Sequence, residues 1–231
     1  MDVDLDRPMP EPPRGGALYF GTFTKSFSVW TDVVILQKES DLLVEYKNWL
    51  TTALLPTGTM INVLPSDTGD EYVSSALKAL HDENGTTHQT TVPDTFLQIG
   101  VAEHPNRLII ESARTRMRHN DVDQVLWADA IETAVYIKNR VNIRALSFGN
   151  TPHELGIGHQ PEVSHMRVFA STCWVVWNKS HIDGKLDDKA AAGDLLGYQD
   201  GRKTYTVIRD YRSVVKVRRI VFCEKRTSEV A

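Results

Sequence analysis

The sequence predicts an α/β protein: a mixed-sheet core of strands and helices in alternation, followed by a small β-barrel. Three observations predict it. Over roughly the first 145 residues, apolar positions switch between a period of two and a period near 3.6. The turn-rich stretch from Ser147 to His165 interrupts that pattern. Beyond it, short apolar runs are separated by Gly, Asp and Lys turns, the spacing of a small all-β unit. The expected division is a core over 1–118, a helical extension and linker over 119–160, and a β-barrel over 161–226.

Ala17 to Phe23 and Ser28 to Leu36 are rich in aromatic and β-branched residues and read as a hairpin. Ser40 is placed to cap a helix in which Leu42, Leu43, Tyr46, Trp49, Leu50 and Ala53 share a face, closed by Pro56 and Gly58. Met60 to Leu64 is a short apolar strand running into Ser66-Asp67. Val73 to Glu83 reads as a helix ended by Asn84-Gly85, and Thr86 to Val92 as a strand. Helices are expected over about Val101 to Arg118 and Val122 to Val141, the second with a stripe of Val125, Leu126, Ala130, Thr133, Ala134 and Ile137. Met166 to Trp177, Asp194 to Tyr198, Thr204 to Ile208 and Val214 to Phe222 are the strands of the barrel.

Composition narrows the function classes. Of the 231 residues, 41% are hydrophobic and 24% charged, enough apolar material for a core. No apolar run approaches the roughly 18 residues of a membrane span, and the acidic, Pro-rich N-terminus lacks the pattern of a signal peptide. The expectation is a nuclear or cytoplasmic protein without a membrane partner. Cys173 and Cys223 belong to no CxxC pair, which excludes a zinc finger and fits two free thiols. A glycine-rich dinucleotide loop and a G-x-S-x-G elbow are both absent, so no small-molecule cofactor is expected.

Charge is unevenly distributed. Residues 1–100 hold 6 basic against 14 acidic residues, whereas residues 101–231 hold 20 against 16. Within residues 202–226, nine basic residues face only Asp210 and Glu224. An acidic half able to hold cations, joined to a basic tail able to hold polyanions, fits a metal-dependent enzyme acting on nucleic acid. Asp67 follows an apolar strand, Glu103 opens a helix and Asp4 sits in the first strand-like stretch. Carboxylates converging from such positions repel one another unless a divalent cation neutralises them, and hard oxygen ligands suit Mg²⁺ or Mn²⁺.

The residues around these acids resemble the integrase region of copia-type retrotransposon polyproteins. That family carries, in order, a D-L-x-G-P-M segment, a Y-F-x-T-F strand, an S-D-N-G-G-E-[FY] turn and an N-G-V-A-E-R-x-N-R helix start. Here they read Asp4-Leu5-Asp6-Arg7-Pro8-Met9, Tyr19-Phe20-Gly21-Thr22-Phe23, Ser66-Asp67-Thr68-Gly69-Asp70-Glu71-Tyr72 and Ile99-Gly100-Val101-Ala102-Glu103-His104-Pro105-Asn106-Arg107. Thirty-five residues separate Asp67 from Glu103. Trp127-Ala128-Asp129-Ala130, Asn139-Arg140 and Thr151-Pro152-His153-Glu154-Leu155 are similar to the segments that follow. Val163 to Phe169, Leu196-Gly197-Tyr198 and Val221-Phe222-Cys223-Glu224 resemble the succeeding SH3-like barrel.

The resemblance implies a ribonuclease-H-like core with a catalytic, metal-binding triad of Asp4, Asp67 and Glu103. It implies Mg²⁺ or Mn²⁺ as cofactor, DNA as partner, a homo-oligomeric working form, and joining of element 3′-ends to target DNA. Arg107 and Arg114, on one face of the Glu103 helix, and the basic strand with Lys216, Arg218 and Arg219 are the expected DNA contacts. The sequence also departs from the pattern. No histidine–cysteine zinc module precedes Asp4, so an N-terminally truncated core is expected, with Asp4 on a fraying strand. Thr24-Lys25 stands where the family has Asp-Asp, and Pro105 falls two residues after Glu103. With a helix starting near Gly100, Pro105 forces either a later start at His104 or a kink. These departures point to impaired transfer, or to a catalytically dead remnant that only binds nucleic acid.

Overall fold

The computed structural model describes residues 2–6, 8–9, 15–54, 63–64, 87–88, 96–143, 146, 149–177, 184, 188–199, 203–209 and 213–223. The chain divides into two compact units, one of residues 1–111 with 137–161, the other of residues 112–136 with 162–231.

In the first unit, β1 (Asp2–Leu5), β2 (Tyr19–Thr24) and β3 (Thr31–Leu36) form an antiparallel sheet in that order, which bears out the expected hairpin. The register pairs Asp4 with Thr22 and Thr22 with Val33. Alternation of side chains along a strand then sorts the sheet into two faces. Val3, Tyr19, Phe23, Val34 and Leu36 share one, and Asp4, Phe20, Thr22, Thr24, Thr31 and Val33 share the other.

Helix α1 (Asp41–Trp49) covers the apolar face. Leu42, Tyr46 and Trp49, spaced by four and three, bury against Val3, Phe23 and Leu36. Each large side chain removed from water in this way contributes about 1.5–3 kcal/mol. The helix sits close because β2 carries glycine beneath it: a Cβ on Gly21 would stand 2.6 Å from Leu42 Cδ1. Asp32 accepts the indole N–H groups of Trp30 at 2.9 Å and Trp49 at 2.7 Å, so neither aromatic leaves its donor unpaired. The expected Ser40 cap does not form. Ser40 already has helical torsions and makes no side-chain capping bond; Asp41 instead accepts from the Lys38 N–H at 3.0 Å.

Two short strands, β4 (Val63–Leu64) and β5 (Thr87–His88), pair in parallel. The expected helix over Val73 to Glu83 and its Asn84-Gly85 cap lie outside the described residues. Helix α2 spans Phe96–His119. It starts five residues before the expected Val101, so of the two outcomes expected at Pro105 the later start at His104 is not met. A glycine inside a helix costs only about 1 kcal/mol, and Gly100 therefore does not stop it. Asn106, Ile109 and Ala113 form its buried stripe.

Asp123 caps a short 3₁₀ turn at Gln124–Leu126, which leads into α3 (Trp127–Lys138). Just past its end, Asn139 clamps the backbone of Thr31 at the start of β3, accepting from its N–H at 3.0 Å and donating to its C=O at 2.7 Å. The Thr-Pro-x-Glu-Leu stretch is a helix start. Thr151 and Glu154 form a capping box around Pro152 in the first turn of α4 (Pro152–Ile157), and Gly158 ends it in the left-handed conformation.

The second unit holds β6 (Thr172–Val176), β7 (Ala190–Gln199), β8 (Thr204–Arg209), β9 (Ser213–Val217) and β10 (Ile220–Phe222). They form one antiparallel sheet in the order β10-β6-β7-β8-β9, around Cys173, Val175, Leu195, Tyr205 and Val207. The edge strands β9 and β10 are joined by only Arg218 and Arg219. A flat five-stranded sheet would hold its edges about 19 Å apart at roughly 4.8 Å per strand. The connection reaches at most about 11 Å at roughly 3.6 Å per residue. The sheet must therefore curl until its edges approach, as a barrel does. The expected strand from Val214 to Phe222 is thus two strands, and Met166 to Ser171 is turn rather than strand, with Ala170 at φ +58°.

Candidate functional site

The polar face of the β1–β3 sheet carries the one member of the expected triad whose side chain is described. Asp4 lies midway along β1, half-buried, with all four residues of its strand in register with β2. As the edge strand of the sheet, β1 is paired on this one side. Asp4 is also tied across the sheet face. Asn106 of α2 donates from Nδ2 to Asp4 Oδ2 at 2.6 Å, and its Oδ1 accepts from the Thr22 hydroxyl at 2.8 Å. The opposite amide orientation would set oxygen against carboxylate, so the network fixes the amide as well as the acid. Asn106 is 5% exposed, and a buried amide costs free energy unless such partners meet it.

This network joins β1 to α2 three residues after Glu103. Glu103 belongs to the same helix. Asp67 lies outside the described residues. Among the described residues no three His, Cys, Asp or Glu side chains come together as a metal-binding group. Asp4 supplies one hard oxygen donor whose orientation Asn106 fixes, the donor type a divalent cation such as Mg²⁺ prefers.

Sequence reasoning passed over Asn106 and Thr22 as functional positions. The signal was present: an amide one helical turn beyond an acidic candidate, and a threonine between the aromatic residues of a strand.

Nearby, a second polar network fills the same sheet face. Lys138 donates to the Val29 carbonyl at 3.1 Å and to the Thr31 hydroxyl at 2.6 Å, and the Thr31 and Thr24 hydroxyls are 3.0 Å apart. Burial lowers the Lys138 ammonium to a pKa of about 8. Val29, which it holds, has φ +56°, an outlier for a β-branched residue.

The expected DNA contacts separate by environment. Arg107 and Arg114 are exposed and seven residues apart on α2, hence on one helical side. Arg107 Nε is bound to Glu111 Oε1 at 2.9 Å, so part of its charge is answered within its own helix. Lys216, Arg218 and Arg219 are all exposed, but only Lys216 belongs to a strand. Arg218 and Arg219 form the β9–β10 connection, because the chain must turn there to close the sheet.

No protein-family model matches the chain. It is 29% identical over 231 residues to the retrovirus-related Pol polyprotein from transposon TNT 1-94 of Nicotiana tabacum, covering 99% of this chain and 17% of that protein. It is 29% identical over 190 residues to the retrovirus-related Pol polyprotein from transposon RE1 of Arabidopsis thaliana, covering 81% of this chain and 12% of that protein. Among solved structures it is similar to the simian T-cell lymphotropic virus intasome in complex with PP2A regulatory subunit B56 gamma. The TM-score there is 0.47 at 12% identity, over 97% of this chain and 81% of that chain. Homologues of the chain are retrovirus-related Pol polyproteins of copia-type transposons, and the chain spans less than a fifth of the length of those it matches.

Proposed function

We propose that this chain is the integrase region of a transposon Pol polyprotein, with a ribonuclease-H-like core followed by an SH3-like barrel. Its reaction is the joining of element DNA 3′-ends to target DNA, in a homo-oligomer. The element's 3′-hydroxyl oxygen forms a bond to a target phosphorus, and the phosphorus bond to the target's own 3′-oxygen breaks. The hydroxyl proton leaves to solvent or base, and the departing oxygen takes one up. Asp4, Asp67 and Glu103 are the residues to hold Mg²⁺ or Mn²⁺, which when bound lowers the cost of negative charge on both oxygens. The observation that carries this reading is the Asn106–Asp4 hydrogen bond, which joins the strand of the first acid to the helix of the third. Asn106 keeps the Asp4 carboxylate from rotating, and a misplacement near 1 Å can cost on the order of 100-fold in rate. Arg107, Arg114, Lys216, Arg218 and Arg219 are the phosphate contacts of this reading.

Pro105 favours an impaired version of the same chemistry. It lies inside α2, two residues from Glu103, where proline removes a backbone donor and crowds the preceding turn. The alternative, a remnant that binds nucleic acid without catalysis, rests on the same residue.

Metal titration followed by a strand-transfer assay with an element-end duplex tests the proposal. We expect weak Mg²⁺ or Mn²⁺ binding that is lost in Asp4→Asn, Asp67→Asn or Glu103→Gln, and no strand transfer by the isolated chain. Metal binding indifferent to all three substitutions would remove the site. Robust transfer abolished by Asp67→Asn and Glu103→Gln would remove the impairment.

A further inference from the structure

The outer face of the C-terminal sheet carries an aromatic side chain with no role in the core. Strand β6 alternates exposed and buried residues, with Cys173 and Val175 inside and Thr172 and Trp174 outside. Trp174 sits on an interior strand yet is 44% exposed. The register sets Val221 of β10, 57% exposed, on one side of it and Ala192 of β7 on the other. One row along, Val176 donates its N–H to the Arg219 carbonyl at 3.1 Å, so Arg219 stands opposite Val176 and diagonal to Trp174. Diagonal neighbours on one sheet face lie about 7–8 Å apart, within reach of long and aromatic side chains. Arg218, next along the chain, is exposed as well. On the opposite diagonal is Asp194, which accepts from the Thr172 hydroxyl at 3.1 Å. The face is thus an indole on an apolar shelf, with a cation on one side and an anion on the other.

We propose that this face binds an unpaired nucleotide, its base stacked on Trp174 and its phosphate held by Arg219. A flat indole offers a π-surface to any base, and an adjacent guanidinium satisfies the phosphate that accompanies it. Duplex DNA hides its base faces within its own stack and gains only the phosphate contact. The face therefore selects single strands over duplex. Asp194 sets polarity by repelling phosphate from its side, so the backbone passes on the side of Arg219. The basic excess of residues 202–226 argues for a polyanion here rather than an apolar protein segment. The inference stands on the sheet alone and needs no metal.

The test titrates the full chain with a short oligothymidylate and with a duplex of equal phosphate number, in chelator, following tryptophan fluorescence and a labelled-strand binding curve. We expect tighter binding and quenching with the single strand. Trp174→Ala should weaken that binding about tenfold while leaving duplex binding within about twofold, and Trp174→Phe should restore most of it. Arg219→Gln should weaken both and flatten the salt dependence, and Asp194→Asn should tighten single-strand binding. Equal single-strand affinity in Trp174→Ala and wild type would overturn the proposal. So would a parallel loss of duplex binding, or quenching that follows protein concentration without nucleic acid. If Trp174→Ala fails to fold by circular dichroism, the Trp174→Phe and Asp194→Asn pair decides, and unchanged affinity in Asp194→Asn counts against the proposal. Because the assay is metal-free, its failure leaves the proposed transfer chemistry standing.

Discussion

Lys138 is a cation held where water is scarce, and its consequences can be worked out with a sign. Its ammonium donates into a carbonyl and a hydroxyl on the polar sheet face, and burial brings its pKa from 10.5 to about 8. Below pH 8 the folded and unfolded amines both carry a proton, and the cost of the buried charge is present in full. Between about 8 and 10.5 the unfolded amine keeps a proton that the folded one releases, so this group's contribution to stability rises with pH. Above 10.5 the gain is complete. Cys173, pushed up to about 11 by burial, and the raised phenols of Tyr46 and Tyr198 act in the opposite sense. They are the same in a Lys138→Met variant, so the difference between the two proteins isolates the lysine. Thermal or urea unfolding at pH about 7.5 and about 9.5 should show wild type gaining on Lys138→Met by up to about 2 kcal/mol, at roughly 1.4 kcal/mol per pH unit. A constant difference would mean that Lys138 is hydrated in the folded protein.

At the scale of elements, the parts readable from the sequence were those governed by short-range chemistry. The β2–β3 hairpin and the apolar stripe of α1 both follow from residue spacing, and each forms. Ser40 failed as a cap because its own torsions are helical, which no spacing reveals. The start of α2 was misread for a related reason: packing of Asn106 and Ile109 outweighs the local warning of Gly100 and Pro105. Of the candidate site, the acids were legible as residue types in a familiar order. The amide that orients Asp4 was not, because its meaning lies in a contact spanning 102 positions. Pro105 then yields a prediction at this scale. As the tenth residue of α2 it has no N–H to donate to the carbonyl four residues back. Pro105→Ala should restore the bond and raise stability by about 1–3 kcal/mol, read as a higher denaturation midpoint with unchanged denaturant slope. Loss of stability in Pro105→Ala would show that the proline conformation is required where it stands.

At the scale of the whole molecule, the division of the chain bears on what can fold alone. The curled sheet shares its unit with residues 112–136, and the contacts within that unit are specific. Thr133 donates its hydroxyl to the Leu196 carbonyl at 2.7 Å, where the β7–β8 register shifts and a Cβ on Gly197 would press 2.9 Å from the Thr133 oxygen. Tyr136 stacks on Tyr198 at 4.7 Å and shares a 2.8 Å hydrogen bond with His165, and Asn120 donates to the Phe169 carbonyl. Leu196 is 1% exposed yet takes no part in the cluster inside the sheet, so it is buried on the side of α3. A fragment of residues 161–231 would return Leu196 to water, at about 1.5–3 kcal/mol. It would also lose a stacked pair worth about 0.5–1.5 kcal/mol and three hydrogen bonds of about 1 kcal/mol each. A single core in a domain of roughly this size rarely supplies more than about 3–5 kcal/mol, so the loss is comparable with the whole stability. The fragment 112–231, which keeps these contacts, should therefore unfold cooperatively on heating. The fragment 161–231 should show a broad, low-temperature transition and early amide exchange in β7. Matching cooperative melts for the two fragments would show that the sheet is self-sufficient and that residues 112–136 merely lie against it.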